Sequence, residues 1–155
     1  MVNRLEVPSG AAMRDLGQCL ARTLDHGDVV LLHGDLGAGK TTLVQGLARG
    51  LRIAGPIQSP TFGIVSEHKG VGRRGDPLIL YHLDLYRLED VEDLESFGYG
   101  AYLDPQDGVS AIEWPERAGS WLPDRFTLVT IQHAGADLRH VTIARHGSGD
   151  LPDER

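Results

Sequence analysis

The sequence predicts a single-domain α/β sandwich whose central sheet is parallel in its core, antiparallel at its edges and flanked by helices. Three observations support this fold class. The apolar segment 28–34, rich in β-branched residues, is typical of a strand buried on both faces. Segments with strand character alternate with segments of helical spacing. Two late apolar segments, 126–134 and 138–146, flank "GAD", which favours an antiparallel hairpin.

The first third of the chain contains two predicted helices. A short strand at 4–7 comes first, and Ser9 is placed to cap a helix for which Gly27 is the expected C-terminal cap. The apolar positions of this helix recur at helical intervals: Ala12, Met13, Leu16, Cys19, Leu20 and Leu24. We therefore expect Cys19 to be a buried structural thiol rather than a reactive one. A second helix, about 40–51, follows the buried strand.

The middle of the chain adds strands around one short helix. Strands are predicted at 61–68 and 78–86, and the polar segment 69–77 between them has the composition of a hairpin loop. A short helix is expected at 91–98, and another buried strand at 108–114. Together with the C-terminal hairpin, these elements complete the mixed sheet.

Composition indicates one globular domain, which we place at residues 1–147, with a flexible polar tail at 148–155. Hydrophobic residues make up 41% of the chain and charged residues 24%, and the net charge is -7. That charge argues against a protein that grips nucleic acid alone. No apolar segment is long enough to cross a membrane, and the first residues lack a signal-peptide pattern, so we expect a cytoplasmic protein. The histidines lack metal-binding spacing and there is no cysteine pair, so no zinc site is expected.

The segment 34–41, "GDLGAGKT", matches the phosphate-loop pattern and lies between a buried strand and a helix. Its glycines allow the backbone to wrap around phosphate oxygens, and the helix directs its N-terminal amides at the same anion. We expect Lys40 to reach the β- and γ-phosphates and the Thr41 hydroxyl to bind Mg²⁺. The predicted nucleotide-binding positions are Gly34, Asp35, Leu36, Gly37, Ala38, Gly39, Lys40, Thr41 and Thr42.

Two acids follow apolar strands and are candidates to complete this site. Asp84 ends "LILYHLD" and Glu113 ends "VSAIE". We expect both strands to lie beside the phosphate-loop strand, with both acids at the carboxyl edge of the sheet. Asp84 would hold the metal, directly or through water, and Glu113 would position the attacking water or join the metal ligands. Thr61, in "SPTF", is either a switch-loop ligand of metal or γ-phosphate or part of an ordinary turn, and physical reasoning favours neither.

Three further features have alternative interpretations. His82 shares a strand face with Asp84 and is more typical of a packed residue supporting the site than of a catalytic one. Trp114 either covers the nucleotide pocket or fills the core. The segment 84–107 has eight acidic residues and one basic residue, and it is either a solvated face or a docking strip for a basic protein.

The blocks "GDLGAGKTT", "SPTF", "YHLDLYRL" and "IEWPER", in this order, resemble the bacterial TsaE family. The resemblance covers roughly residues 6–145. It implies an ATPase that uses Mg²⁺ in forming the threonylcarbamoyl modification on adenosine 37 of tRNAs that read codons beginning with A. It also implies a TsaB–TsaD heterodimer as partner, with tRNA contacted through that complex. By motif, Lys40 and Thr41 bind phosphate and metal, Thr61 belongs to a switch segment, and Asp84 and Glu113 serve metal binding and hydrolysis.

Two other functions remain compatible with the same loop. A small-molecule or nucleoside kinase needs an acceptor pocket and usually a lid with arginines, and Arg73 and Arg74 are the only adjacent arginines. A nucleotide-dependent binding module with negligible turnover needs the same loop, metal and switch as an ATPase. A GTPase of the usual kind is strongly disfavoured, because the only asparagine, Asn3, precedes the phosphate loop and provides no guanine-recognition motif.

Overall fold

A computed structural model describes residues 2–57 and 64–147 and contains one seven-stranded sheet. The strands are β1 Val2–Val7, β2 Val29–Gly34, β3 Val65–Val71, β4 Pro77–Asp84, β5 Gly108–Glu113, β6 Phe126–His133 and β7 Arg139–His146. The helices are α1 Gly10–Ala21, α2 Lys40–Gly50, α3 Asp93–Ser96 and α4 Tyr99–Tyr102, with a 3-10 turn at Pro115–Ala118.

The strand order is β1-β7-β6-β2-β5-β4-β3. Strands β6, β2, β5 and β4 pair in parallel, whereas β1, β7 and β3 pair with their neighbours antiparallel. The predicted fold class is therefore confirmed. One expectation was wrong: β5 lies between β2 and β4, so the strand that ends in Asp84 is not a neighbour of the phosphate-loop strand. Each carboxyl end still reaches the same edge of the sheet.

The central strand β2 is buried on both faces because helical segments cover both sides of the sheet. Val30 and Leu32 pack into one apolar cluster, and Val29 and Leu31 pack into the other. Helices α1 and α2 cover the first face, and their backbones approach so closely that a Cβ added at Gly46 would overlap the carbonyl of α1. The short helices α3 and α4 and the 3-10 turn contribute to the second cluster.

The first helix is shorter than predicted, and its cysteine lies off its buried face. The Ser9 side chain accepts from the Ala12 N–H, as expected of an N-cap, but α1 ends at Ala21. Gly27 has a positive φ of 96° in the following loop rather than at the helix cap. Cys19 is exposed, so the prediction of a buried thiol was wrong. The buried face of α1 contains Met13, Gly17, Leu20 and Ala21, and position 19 lies off that stripe.

The middle of the chain also differs from the prediction in its boundaries. The β3–β4 hairpin is present, but β3 continues to Val71 because residues 69–71 pair with residues 77–79 of β4. The predicted helix at 91–98 is replaced by two four-residue helices, α3 and α4, separated by Gly98 with a φ of 78°. Within residues 2–57 and 64–147, the structure contains no helix with the length and apolar character of a membrane span.

Candidate functional site

A pocket of about 230 Å³ lies at the carboxyl edge of the sheet. Its lining residues are Leu36, Gly37, Gly39, Lys40, Thr41, Thr42, Asp84, Tyr86, Glu113 and Trp114. Three other cavities are larger, at about 310, 520 and 570 Å³, so size alone does not identify the site. The distinguishing property of this pocket is that a glycine-rich loop, a lysine, two hydroxyls and two carboxylates converge on it.

The phosphate loop connects β2 to α2 through a backbone that only glycine adopts readily. Gly37 has a φ of 78° and Gly39 a φ of 116°, both in the left-handed region. The Ala38 N–H donates to the Asp35 carbonyl at 3.0 Å, and this bond closes the turn. Gly39 is the N-terminal cap position of α2 and has no side chain to cap the helix. The first amides of α2 are therefore left for a ligand.

Lys40 is folded against its own loop. Its ammonium donates to the Gly34 carbonyl and, at 2.9 Å, to the Asp35 carbonyl, and the side chain is only 4% exposed. Burial lowers the pKa of Lys40, and the negative charges of Glu113 and its neighbours offset part of that effect. A buried ammonium next to carboxylates and helix amides attracts phosphate strongly, since little water screens it.

Glu113 connects the phosphate loop to the sheet. Its carboxylate accepts from the Thr41 hydroxyl, with distances of 2.9 Å to Oε2 and 3.1 Å to Oε1. It also accepts from His82 Nε2, at 2.6 Å to Oε2. Glu113 is 3% exposed and His82 is fully buried. This agrees with the interpretation of His82 as a packed, supporting residue, because it restricts the rotation of a buried carboxylate.

Asp84 lies beside Glu113 in the β4–β5 register but in a wetter environment. It is half-buried, and its Oδ1 accepts the Tyr86 N–H at 3.0 Å. Partial burial raises the pKa of Asp84, and the charge of Glu113 acts in the same direction, against the lowering by the Tyr86 hydrogen bond. Because burial disfavours the charged form of Asp84, a nearby cation would stabilise its ionised carboxylate.

Trp114 both covers the pocket and packs against the core, so its two interpretations combine. The Lys40 ammonium lies 4.1 Å from the centroid of the indole ring, and the Tyr86 ring lies 4.9 Å away. The indole also packs against the second apolar cluster. Trp114 adopts a φ of 60°, which is uncommon for a bulky residue and is typical of positions where the surroundings impose a conformation.

The donor atoms near Thr41 fit Mg²⁺. One hydroxyl and two carboxylates supply only oxygen, which this ion prefers, and Mg²⁺ usually keeps several waters and binds phosphate oxygens besides one or two carboxylates. Over the two ranges that the structure describes, no group of three or more His, Cys, Asp or Glu side chains is arranged to hold a metal ion.

The structure brings most of the predicted site residues together. Six loop residues and both acids line the pocket, and the remaining loop positions, Gly34, Asp35 and Ala38, form its backbone frame. Thr61 lies outside the described residues. Sequence reasoning missed Tyr86, although a polar turn after Asp84 signals it, and Arg139, whose Nε donates to the Ala38 carbonyl. No local signal identifies Arg139, which is 101 positions away from Ala38.

The acid-rich segment 84–107 has several of its apolar residues inside, although Tyr86 and Val91 are exposed. Leu85, Leu94 and Tyr99 are at most 1% exposed, whereas most of the acids are exposed. This amphipathic arrangement fits the solvated face of a covering layer, and docking of a basic protein on the same face stays an untested alternative.

Comparison with known proteins identifies close relatives. A family model described as threonylcarbamoyl adenosine biosynthesis protein TsaE matches residues 7–141. The chain is 53% identical over 133 residues to the tRNA threonylcarbamoyladenosine biosynthesis protein TsaE of a Nostoc species, covering 83% of this chain and 77% of that one. It is 51% identical over 113 residues to the protein of the same name from a Synechocystis species, covering 72% and 69% respectively.

A solved structure has the same fold. The crystal structure of Bacillus subtilis YdiB superposes with a TM-score of 0.71 at 34% sequence identity. The match covers 92% of this chain and 86% of that one.

Proposed function

This chain belongs to the TsaE family, whose members take part in tRNA threonylcarbamoyladenosine biosynthesis, and we propose that it is a Mg²⁺-dependent ATPase of that pathway. In this proposal it acts with a TsaB–TsaD heterodimer in forming the threonylcarbamoyl modification on adenosine 37 of tRNAs that read codons beginning with A. The observation that carries the proposal is the bonding of Glu113 to Thr41, which joins the strand-end acid to the phosphate loop.

On the loop side, the chain supplies positive charge and amides. The N-terminal amides of α2 and the loop backbone donate to phosphate oxygens. Lys40, which donates to the Gly34 and Asp35 carbonyls in this structure, would donate to the β- and γ-phosphates of a bound nucleotide. The Trp114 ring lies over the Lys40 ammonium, 4.1 Å from it to the ring centroid.

On the acid side, the chain supplies oxygen ligands and a base. When bound, Mg²⁺ would supply positive charge to offset that of the phosphate oxygens. Thr41 and Asp84 would hold the metal, Asp84 directly or through water. Glu113 would orient the attacking water or take a place among the metal ligands. His82 keeps the carboxylate of Glu113 aimed at the pocket.

The kinase alternative lacks support from the arginine positions. Arg73 is engaged in a two-pronged ion pair with Asp25, at 2.8 and 3.0 Å, near the start of β4. Asp84 ends that eight-residue strand, so the hairpin lies roughly 25 Å from the pocket. Neither Arg73 nor Arg74 is therefore placed as a lid over the phosphates.

The partner and location belong to the same proposal. A net charge of -7 disfavours direct capture of tRNA, so we assign tRNA contact to the TsaB–TsaD pair and place the protein in the cytoplasm. Hydrolysis would then time an assembly rather than phosphorylate a metabolite. A site that is slow alone and accelerated by its partner is a known pattern among phosphate-loop proteins.

The decisive experiment measures ATP hydrolysis by the purified protein, alone and with its cognate TsaB–TsaD pair, with GTP as the competing nucleotide. We expect ATP turnover that rises with the pair and disappears in Lys40→Ala. Turnover indifferent to the pair, or transfer of phosphate to a small acceptor, would contradict the proposal. ATP binding without turnover under any condition would instead identify a nucleotide-dependent binding module.

A further inference from the structure

Arg139, at the first position of β7, contacts the phosphate loop from behind. Its Nε donates to the Ala38 carbonyl at 3.0 Å. Ala38 is 1% exposed and does not line the pocket, whereas Gly37 and Gly39 on either side of it do. The guanidinium therefore bonds the loop on the side away from the phosphate cradle.

The guanidinium is itself held by the sheet. Its Nη1 donates to the Leu138 carbonyl at 3.1 Å and to the Ala136 carbonyl at 3.4 Å, both in the turn between β6 and β7. The Arg139 backbone pairs with Val7 on β1 and with His133 on β6. The side chain thus connects the phosphate loop to a strand that is paired on both edges.

The bond to Ala38 has a consequence for Gly39. In a trans peptide, the carbonyl of one residue and the N–H of the next point in opposite directions. No cis peptide occurs within the described residues. A carbonyl of Ala38 fixed outward by Arg139 therefore turns the Gly39 N–H inward, towards the pocket that Gly39 lines.

Such a constraint matters because the loop is rich in glycine. Glycine has the widest choice of backbone conformations, so ordering it costs more entropy than ordering other residues. A charged donor makes a stronger hydrogen bond than a neutral one. The bond from Arg139 reduces the conformational freedom of the Ala38–Gly39 peptide before any ligand arrives.

We propose that Arg139 is a positioning residue for nucleotide binding, which holds the Ala38–Gly39 peptide so that the Gly39 amide donates to a phosphate oxygen. This inference rests on the proposed function, since it assigns the loop a nucleotide. Replacing Arg139 should weaken nucleotide binding equally in the ground state and the transition state. KM should therefore rise, while kcat at saturation stays nearly constant.

The test is calorimetric titration of the whole protein with ADP, comparing wild type with Arg139→Gln and Arg139→Lys. We expect Arg139→Gln to weaken ADP binding about tenfold, within the range for loss of a charge-assisted hydrogen bond. Arg139→Lys retains a cationic donor and should recover part of the affinity. It also provides a second variant to measure if Arg139→Gln does not fold. Arg145→Gln is the matched control, because Arg145 lies on the same strand and pairs with Thr127 near its other end.

The melting temperature without ligand distinguishes a role of Arg139 in positioning the loop from a role in the stability of the whole fold. We expect the Arg139 and Arg145 variants to melt within a few degrees of each other while only the Arg139 variants lose affinity. ADP affinity within twofold of wild type in both Arg139 variants would overturn the inference alone. An equal loss of ADP affinity in Arg145→Gln and Arg139→Gln would also overturn the inference. Wild-type protein that binds neither ADP nor ATP would overturn the proposed function and this inference together.

Discussion

The two sides of the pocket are built in different ways. The phosphate-loop side comes from consecutive residues, 34–42, whose backbone and one ammonium provide the positive character. The acid side comes from Asp84 and Glu113, which lie on neighbouring strands and meet through the register of β4 and β5. A local segment thus provides the loop amides and the ammonium, whereas long-range strand pairing provides the carboxylates, and the proposed hydrolysis needs both sides of the pocket.

The two acids also differ from each other. Glu113 is nearly buried and fully engaged with Thr41 and His82, as a buried carboxylate must be to offset its desolvation. Asp84 is half-buried and has a local backbone partner in Tyr86, and its pKa is raised by burial. This difference is the basis for expecting the constrained carboxylate, Glu113, to act on the reacting water and the less satisfied one, Asp84, to hold the cation. Substitutions of the two acids test that division.

The largest effect is expected from the loop side. Lys40→Ala removes the buried ammonium and should lower ATP turnover by about a hundredfold or more, as loss of a preorganised electrostatic contact does. Nucleotide affinity should fall with it. Lys69→Ala is the control, since Lys69 is the only other lysine and is exposed on β3. Unchanged turnover in Lys40→Ala would show that the phosphate loop does not take part in ATP hydrolysis.

The next largest effect is expected at Glu113. Glu113→Gln retains the shape of the side chain but not the charge, and should reduce kcat by about 10²–10³-fold while ADP affinity changes little. Single-turnover kinetics and titration with ADP measure the two quantities. Glu116→Gln, on an exposed neighbouring acid, controls for charge. Equal losses of turnover and affinity would make Glu113 a binding residue instead.

A smaller effect is expected at Asp84. Asp84→Asn should raise the Mg²⁺ concentration for half-maximal turnover about tenfold, in the range seen when a group supporting a metal is altered. Asp90→Asn is a matched control, because the Asp90 Oδ1 accepts the Glu92 N–H at 3.0 Å in the same way that Asp84 accepts from Tyr86. A metal titration that coincides with wild type would return Asp84 to the role of a solvated acid.

The smallest effect concerns stability without metal. Because the pKa of Asp84 is raised above 3.8, the folded protein holds this proton more tightly than the unfolded chain does. Stability contributed by Asp84 is therefore lost as pH rises from 3.8 through the folded-state pKa. Asp84→Asn should avoid this cost and melt about 1–2 °C higher at pH 7, as expected for a change of about 0.5 kcal/mol.

Thermal melts in chelator at several pH values measure this effect. The advantage of Asp84→Asn should shrink as the pH falls towards 3.8. A variant that is less stable than wild type at pH 7 would show that the Asp84 charge is already well compensated without a cation.

Several parts of the fold and site were predictable because they depend on local pattern. The apolar segment preceding Gly34, the glycines of the loop and the hairpin signal near Gly135 each predict their structure within a few residues. Asp84 and Glu113 were identifiable because an acid after a buried strand is unusual. The short helices α3 and α4 were not, since four-residue helices depend on the packing of Leu94 and Tyr99 rather than on propensity.

The sequence by itself determined the phosphate loop, since positive φ values, helix amides and a lysine all follow from neighbouring residues. Tertiary structure decided the strand order, which inserts β5 between β2 and β4, and the exposure of Cys19 on α1. It also decided the bonds of Glu113 to Thr41 and of Arg139 to Ala38. These contacts join residues distant in sequence. The pairing of whole strands, which buries both faces of the sheet, brings these residues together, and the local preferences of the individual residues do not.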